Sequence, residues 1–351
     1  MRFMCGSTAA LAVVTSIALG ACRRVEEPGA DRHTPVRVVA SSLAAANDDA
    51  ATLAKSEPSL LAPTQLLTLP SSAYQASLFA DDEAIELLTA SAVYRLLPGK
   101  EPAPRALDLG FAATLTRQSY VYWSQGAIWS APRRAPGATK LAILAEQPQR
   151  FVADMARDEF AFLTRSEGDR YAIHKLENRR VKTLYTSPGS IDALTMIGDA
   201  LYFVERPSGG NFRIARVKLA GGDATFTSSK TGRWPARLAG NNELIYYDGA
   251  RRNVLALSLD LQHERELAKD FICSPMAVAA SVYCSTMEGI FELSATGQPR
   301  QVVAASRALI TNVAANSESL VFITDVGTTG QDRLAVNVVP LGKPGAAEPP
   351  R

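Results

Sequence analysis

Acid–base or metal chemistry needs imidazoles or clustered carboxylates that converge. The chain holds three histidines, His33, His174 and His263. Local patterning puts His33 in a stretch without strand character, His174 inside a strand and His263 in a turn. Residues so spread do not supply the three or so ligands that a zinc site needs, so all three are expected at the surface. Asp81-Asp82-Glu83 falls where a turn is expected, and acids commonly serve as turn residues. No D-x-[DN]-x-[DN]-G spacing signals a calcium loop, and no G-x-S-x-G elbow signals a hydrolase nucleophile. Gly209-Gly210 and Gly221-Gly222 lack the lysine and the strand-to-helix context of a phosphate loop, so they read as turn glycines. No catalytic residue, metal site or cofactor is therefore expected.

Binding chemistry has better candidates. Arg150, Arg165, Arg206, Arg233, Trp234, Arg251 and Arg252 all fall near loops that the repeat described below brings to one face. Arginine and tryptophan are enriched at binding hot spots, and loops on a rigid scaffold commonly carry function. The competing reading is solvated arginines and a tryptophan packed between repeats. Tyr122, Tyr202, Phe203 and Tyr246 recur at equivalent positions, which argues for packing between repeats rather than a ligand cage.

The elements that position these residues follow from an internal repeat. Apolar-aromatic runs begin at Ile85, Val121, Phe160, Leu201, Leu244, Val282 and Leu320, separated by 36, 39, 41, 43, 38 and 38 residues. Each follows an apolar stretch and a polar turn, as in Met276-Ala277-Val278 or Gly198-Asp199, and leads to a third alternating strand and a more polar fourth. Such runs, bounded by Gly, Pro and Asn, are strand signals, and four strands per unit repeated radially make a β-propeller. The expected blades lie near 73–110, 111–147, 148–189, 190–230, 231–271, 272–307 and 308–342, an all-β fold of seven four-stranded antiparallel blades. The seventh unit supplies three convincing strands. The segment Thr64 to Leu69 reads like the fourth strand at Thr139–Ile143, so it is expected to cross over and complete the last blade. Closure of this kind removes exposed sheet edges.

Leu201-Tyr202-Phe203-Val204, then Ser208 to Ile214, then Leu219-Ala220-Gly221-Gly222-Asp223 resembles one repeat of the TolB-like or NHL-like propellers. Val121-Tyr122-Trp123 with Ile128-Trp129 is a looser match. The resemblance implies the fold and carries over no functional residue, since such propellers serve as binding platforms, lyases or hydrolases.

Ahead of the repeats, Arg2, the apolar run Ala9 to Leu19 and the small residues before Cys22 have the layout of an export signal, and the run is short for a bilayer span. Leu19-Gly20-Ala21-Cys22 resembles the lipobox of bacterial lipoproteins. That resemblance implies cleavage after residue 21 and an acylated Cys22, with Arg23 pointing to the outer membrane. Residues 22–61 are rich in Ala, Ser, Pro and acids and are expected to be a flexible tether; 62–342 form the propeller, and 343–351 a loose tail. Of the remaining cysteines, Cys273 and Cys284 lie eleven positions apart around a hairpin. On neighbouring antiparallel strands they are expected to form a disulfide in an oxidising compartment, the alternative being two buried thiols. The 37 basic and 35 acidic residues nearly cancel, which gives no overall field for nucleic acid. The expectation is a monomeric envelope lipoprotein whose propeller binds a protein partner or an extracellular ligand. The alternative is a propeller lyase or hydrolase acting on glycans or peptides at the channel mouth.

Overall fold

The computed structural model describes residues 60–341 except 71–75, 82–83, 98–99, 111, 155–156, 167, 169, 208–210, 229, 232–237, 241, 274–275, 295–297, 305–307 and 326–332. His33, Cys22, Arg233, Trp234, residues 22–59 of the expected tether and the expected tail fall outside the described residues; Leu60 and Leu61, also assigned to the tether, are described.

The described residues form seven antiparallel sheets arranged as a β-propeller. Blade 1 holds β2 (Ser77–Ala80), β3 (Ile85–Leu88), β4 (Ala92–Leu96) and β5 (Pro104–Ala106). Blade 2 holds β6 (Ala113–Leu115), β7 (Ser119–Ser124), β8 (Ala127–Pro132) and β9 (Thr139–Ile143). Blade 3 holds β10 (Pro148–Asp154), β11 (Glu159–Ser166), β12 (Arg170–Glu177) and β13 (Arg180–Ser187). In blade 4, β14 (Ser190–Ile197), β15 (Ala200–Arg206) and β16 (Asn211–Lys218) are followed by a fourth strand broken into β17 (Thr225–Phe226) and β18 (Lys230–Thr231), both paired with β16. Blade 5 holds β19 (Leu238–Gly240), β20 (Glu243–Asp248), β21 (Asn253–Ser258) and β22 (Glu264–Ala268). Blade 6 holds β23 (Met276–Val278), β24 (Val282–Thr286), β25 (Gly289–Leu293) and β26 (Pro299–Ala304). Blade 7 takes β27 (Leu309–Ala315), β28 (Ser319–Asp325) and β29 (Arg333–Pro340) from one end of the repeat array, and β1 (Thr64–Pro70) from the other.

The closure expected from the surplus N-terminal strand is present. β1 lies antiparallel to β29, with Thr64 opposite Val338 and Leu69 opposite Leu334. Leu69 is buried, packed with Leu334, Val336 and Leu87 in the seam between blades 7 and 1. Just before β1, the Leu61 amide donates to the Val302 carbonyl of β26 at 2.9 Å. The N-terminal strand therefore joins blade 7 and touches blade 6.

Every apolar-aromatic run of the repeat is the second strand of its blade. Both faces of that strand are covered, because a blade packs against a neighbour on each side. Alternation then sends successive side chains to opposite neighbours: Phe203 packs toward blade 3 and Tyr202 toward blade 5. Tyr122 and Tyr246 are likewise buried between blades, as the recurrence of these aromatics predicted.

The disulfide Cys273–Cys284 is formed, and both cysteines are fully buried. Its setting differs from the expected pair of strands. Cys284 lies on β24, but Cys273 sits in the connection ahead of β23, where Met276 is the residue opposite Cys284. The bond thus pins the link between blades 5 and 6, because the chain reaches the inner strand only three residues later.

Candidate functional site

Up-and-down topology gives the propeller two unlike faces. Turns from second to third strands and connections between blades share one of them, called here the upper face. The lower face carries the remaining turns. Arg150 near the start of β10, Arg165 and Arg206 at the ends of β11 and β15, and Arg251 and Arg252 in the β20–β21 turn all belong to the upper face.

Their surroundings differ. Arg206 pairs with Asp192 through Nε at 2.7 Å, with both side chains largely covered. The Arg150 Nη1 donates to the backbone carbonyl of the same Asp192 at 3.5 Å. The Arg165 guanidinium lies 5.6 Å from the centre of the Tyr171 ring. Arg251, an exposed side chain, lies 3.8 Å from the Asp248 carboxylate. Arg252 adopts φ +58° in the turn. Arg150 and Arg206 thus meet at one aspartate, whereas Arg165 lies on β11 and Arg251 and Arg252 share the β20–β21 turn.

A cleft of ≈ 350 Å³ opens at the channel mouth on this face. The inner strands β2, β6, β10 and β14 contribute Ser77, Phe79, Ala113, Phe151 and Leu194, and the β3–β4 turn and the blade 1–2 connection contribute Thr89 and Leu109. Gln149 and Arg150 stand at the rim, both exposed. Gly110 also lines the cleft at φ +59°, where a Cβ would come 2.7 Å from the Trp123 carbonyl oxygen. Only glycine lets that connection lie so close to β7. Among the described lining residues Arg150 is the one ionisable group, and no carboxylate, imidazole or thiol faces the space. The described lining is apolar along its walls and polar at its rim.

The most polar buried cluster lies between blades 3 and 4. Glu205, on β15, is fully buried. It accepts hydrogen bonds from Tyr185 Oη at 2.7 Å, Ser187 Oγ at 2.5 Å and Arg213 Nε at 2.6 Å. Burial alone would raise its pKa, but these donors prevail and hold the carboxyl below its ordinary value. Burial, with the carboxylate bond next, pushes the Tyr185 phenol well up. A second ionic cluster joins blades 1 and 2 at the lower face: Arg133 Nη2 reaches Asp81 at 2.6 Å and buried Glu86 at 2.8 Å. Asp81 is indeed a turn residue, accepting from the Ala84 amide at 2.8 Å, and it also anchors this pair. Asp82 and Glu83 fall outside the described residues.

Sequence reasoning passed over a further repeat. Thr89, Thr164, Glu205, Asp248, Ser285 and Thr324 all stand at the upper end of a second strand, and all are buried. Asp248 Oδ1 accepts from the Ala250 amide at 3.0 Å, and Thr89 Oγ1 from the Ala92 amide at 3.1 Å, so two of them close the following turn. The signal was present as a polar residue ending each apolar run.

His263 lies exposed in the β21–β22 turn, as expected. His174 is not a freely solvated side chain. It stacks on Phe162 at 5.2 Å between ring centres, and its two ring nitrogens meet Thr164 at 2.9 Å and Thr183 at 3.1 Å. Burial lowers its pKa. Among the described residues no group of three or more His, Cys, Asp or Glu side chains could hold a metal. Among them, too, no helix is long and apolar enough to cross a membrane.

No protein-family model matches the chain, and no curated protein matches it. Solved structures do. An acylaminoacyl peptidase of Pyrococcus horikoshii superposes with a TM-score of 0.55 at 11% identity, over 74% of this chain and 51% of the peptidase. The CNH domain of AfRom2 gives 0.49 at 10% identity, over 79% and 98% of the two chains. An Agrobacterium tumefaciens protein assigned as TolB gives 0.42 at 14% identity, over 54% and 79%. At these identities the likeness concerns the fold alone, a β-propeller.

Proposed function

We propose that this chain is an exported propeller lipoprotein, tethered through an acylated Cys22, whose upper face binds a ligand or a protein partner. The observation that carries the binding role is the cleft at the channel mouth. It opens on the face where the arginine-bearing turns gather, and its described lining offers contacts without an acid–base pair. Export is supported by the buried Cys273–Cys284 disulfide, since such bonds persist in oxidising compartments. The anchor is supported by the lipobox-like Leu19-Gly20-Ala21-Cys22 behind an apolar run.

Photo-crosslinking of the full chain in a bacterial envelope tests the binding role. A photoreactive side chain at Ser166, on the upper face, should yield a discrete adduct, whereas one at Lys140, on the outer strand β9, should not. Equal labelling from both positions, or from neither, would overturn it.

A further inference from the structure

We infer that the channel-mouth cleft is a subsite for one neutral pyranose, supplied as a free hexose or as the terminal sugar of a glycan. The inference deepens the binding reading above and rests on it.

A pyranose has an apolar face of C–H bonds and a rim of hydroxyls that both donate and accept. The cleft offers the matching parts. Its volume of ≈ 350 Å³, at about 30 Å³ per water-sized unit, takes roughly a dozen non-hydrogen atoms, the size of one hexose. Phe79 on β2 is half-buried and keeps ring surface for a ligand. Phe151 is buried against Phe160 and Phe162, with ring centres 6.1 and 5.8 Å away, so it backs the wall instead. Around this floor stand the Ser77 hydroxyl and the Gln149 amide, neither of which bonds another described residue through its side chain. Thr89 does not compete for the same role. Its hydroxyl donates to the Ala92 carbonyl at 2.9 Å and accepts from the Ala92 amide at 3.1 Å. Arg150 is likewise committed, to the Asp192 carbonyl at 3.5 Å and to a further interaction. The described lining therefore brings no uncommitted charge to a ligand. An ionised ligand would lose hydration there without a counter-charge, whereas neutral hydroxyls exchange water for amide and hydroxyl partners.

Backbone geometry places these groups together. Ser77 and Phe79 are two residues apart on β2, so they point to the same side of the strand and set a hydroxyl beside the ring. Gln149 falls in the register shift between Pro148 and Arg150, and a bulged residue is re-aimed out of the sheet's alternation. Gln149 is exposed at the rim as a result. The two strands belong to blades 1 and 3, so the ring itself fixes the spacing between the hydroxyl and the amide.

The test titrates the full chain, in a detergent that carries no sugar, with the methyl glycosides of glucose, galactose, mannose and N-acetylglucosamine. Glucuronate serves as the charged control and cyclohexylmethanol as the apolar one, and binding is followed by ligand-observed NMR. At least one glycoside should bind saturably, with a Kd of about 1 mM or tighter, and about tenfold more tightly than either control. Gln149→Ala should weaken that glycoside by roughly two- to tenfold, the effect of one neutral hydrogen bond. Phe79→Leu, which keeps an apolar side chain but removes the ring, should weaken it as well. The ranking of glycosides against controls uses the unmodified chain, so a poorly folded F79L does not blunt the test. An oligosaccharide ending in the preferred sugar that binds more tightly assigns the glycan source, and equal affinity assigns the free sugar. No saturable glycoside binding, a control that binds as tightly, or glycoside binding untouched by Q149A and F79L would each overturn the inference. Face-specific crosslinks alongside such a failure would leave the binding-module reading intact. Glycoside binding without those crosslinks would keep the subsite and remove the protein partner.

Discussion

Glu205 shows what a single buried charge does in this fold. Its carboxylate ties Tyr185 and Ser187 of blade 3 to Arg213 of its own blade. Glu205→Ala would leave those donors without their acceptor. Removing one partner of a buried ion pair costs about 3–5 kcal/mol, and the low end applies because the Arg213 side chain is 33% exposed. Urea unfolding of the variant should show a loss of about 3 kcal/mol. The carboxyl is held below its ordinary value in the folded chain, so the unfolded chain binds the proton more tightly. The contribution is therefore full above the unfolded value and fades as pH falls through the folded one. Glu205→Gln should flatten the acid limb of stability against pH below about 4.5, and an unchanged limb would place the acid sensitivity elsewhere. Gly189, next to this cluster, permits another close approach. A Cβ there would come 2.3 Å from the Arg206 carbonyl oxygen, so Gly189→Ala should lower the thermal midpoint by forcing β14 and β15 apart.

At the scale of elements, the two features that fix the ring are the closure strand and the disulfide. β1 seals one side of blade 7 and buries Leu69 in the seam with blade 1. A chain starting at residue 71 would expose the β29 edge and the apolar side chains that β1 covers. It should aggregate or bind a hydrophobic dye, and an undiminished, cooperative thermal transition would contradict the closure role. The disulfide closes a loop of separation 11, for which the chain-entropy estimate is about 3 kcal/mol. Unfolding in urea with and without reductant should differ by about that much or less. The Leu61–Val302 hydrogen bond also gives a pull on the N-terminus a path into blades 6 and 7.

At the scale of the whole molecule, the ring has two unlike faces, and the proposed binding role belongs to the upper one. The proposed anchor predicts that radiolabelled palmitate enters the full chain and that the labelled protein pellets with membranes. Cys22→Ser should stay soluble and unlabelled, and a variant that still labels would move the anchor elsewhere. The molecule should also unfold in alkali. Burial, reinforced by carboxylate partners, raises the Tyr120, Tyr185 and Tyr246 phenols well above 10. A raised folded value means stability is full below about pH 10 and drains away as pH climbs past it. Ultraviolet titration should show these phenols ionising together with unfolding.

The blade number, the second strand of each blade, the crossover of Thr64 to Leu69 and the Cys273–Cys284 pair were all legible in the sequence. Each rests on local, periodic information: alternation along a strand, a spacing near forty residues, a surplus strand at one end and a missing one at the other. What only the tertiary structure decided is which arginine meets the cleft, what Glu205 holds, and that a cleft exists between blades 1 and 4. Those depend on how far adjacent sheets stand apart at the channel. That gap is set by side chains from Ser77 to Leu194 packing across seams, and no periodic pattern along one strand encodes it.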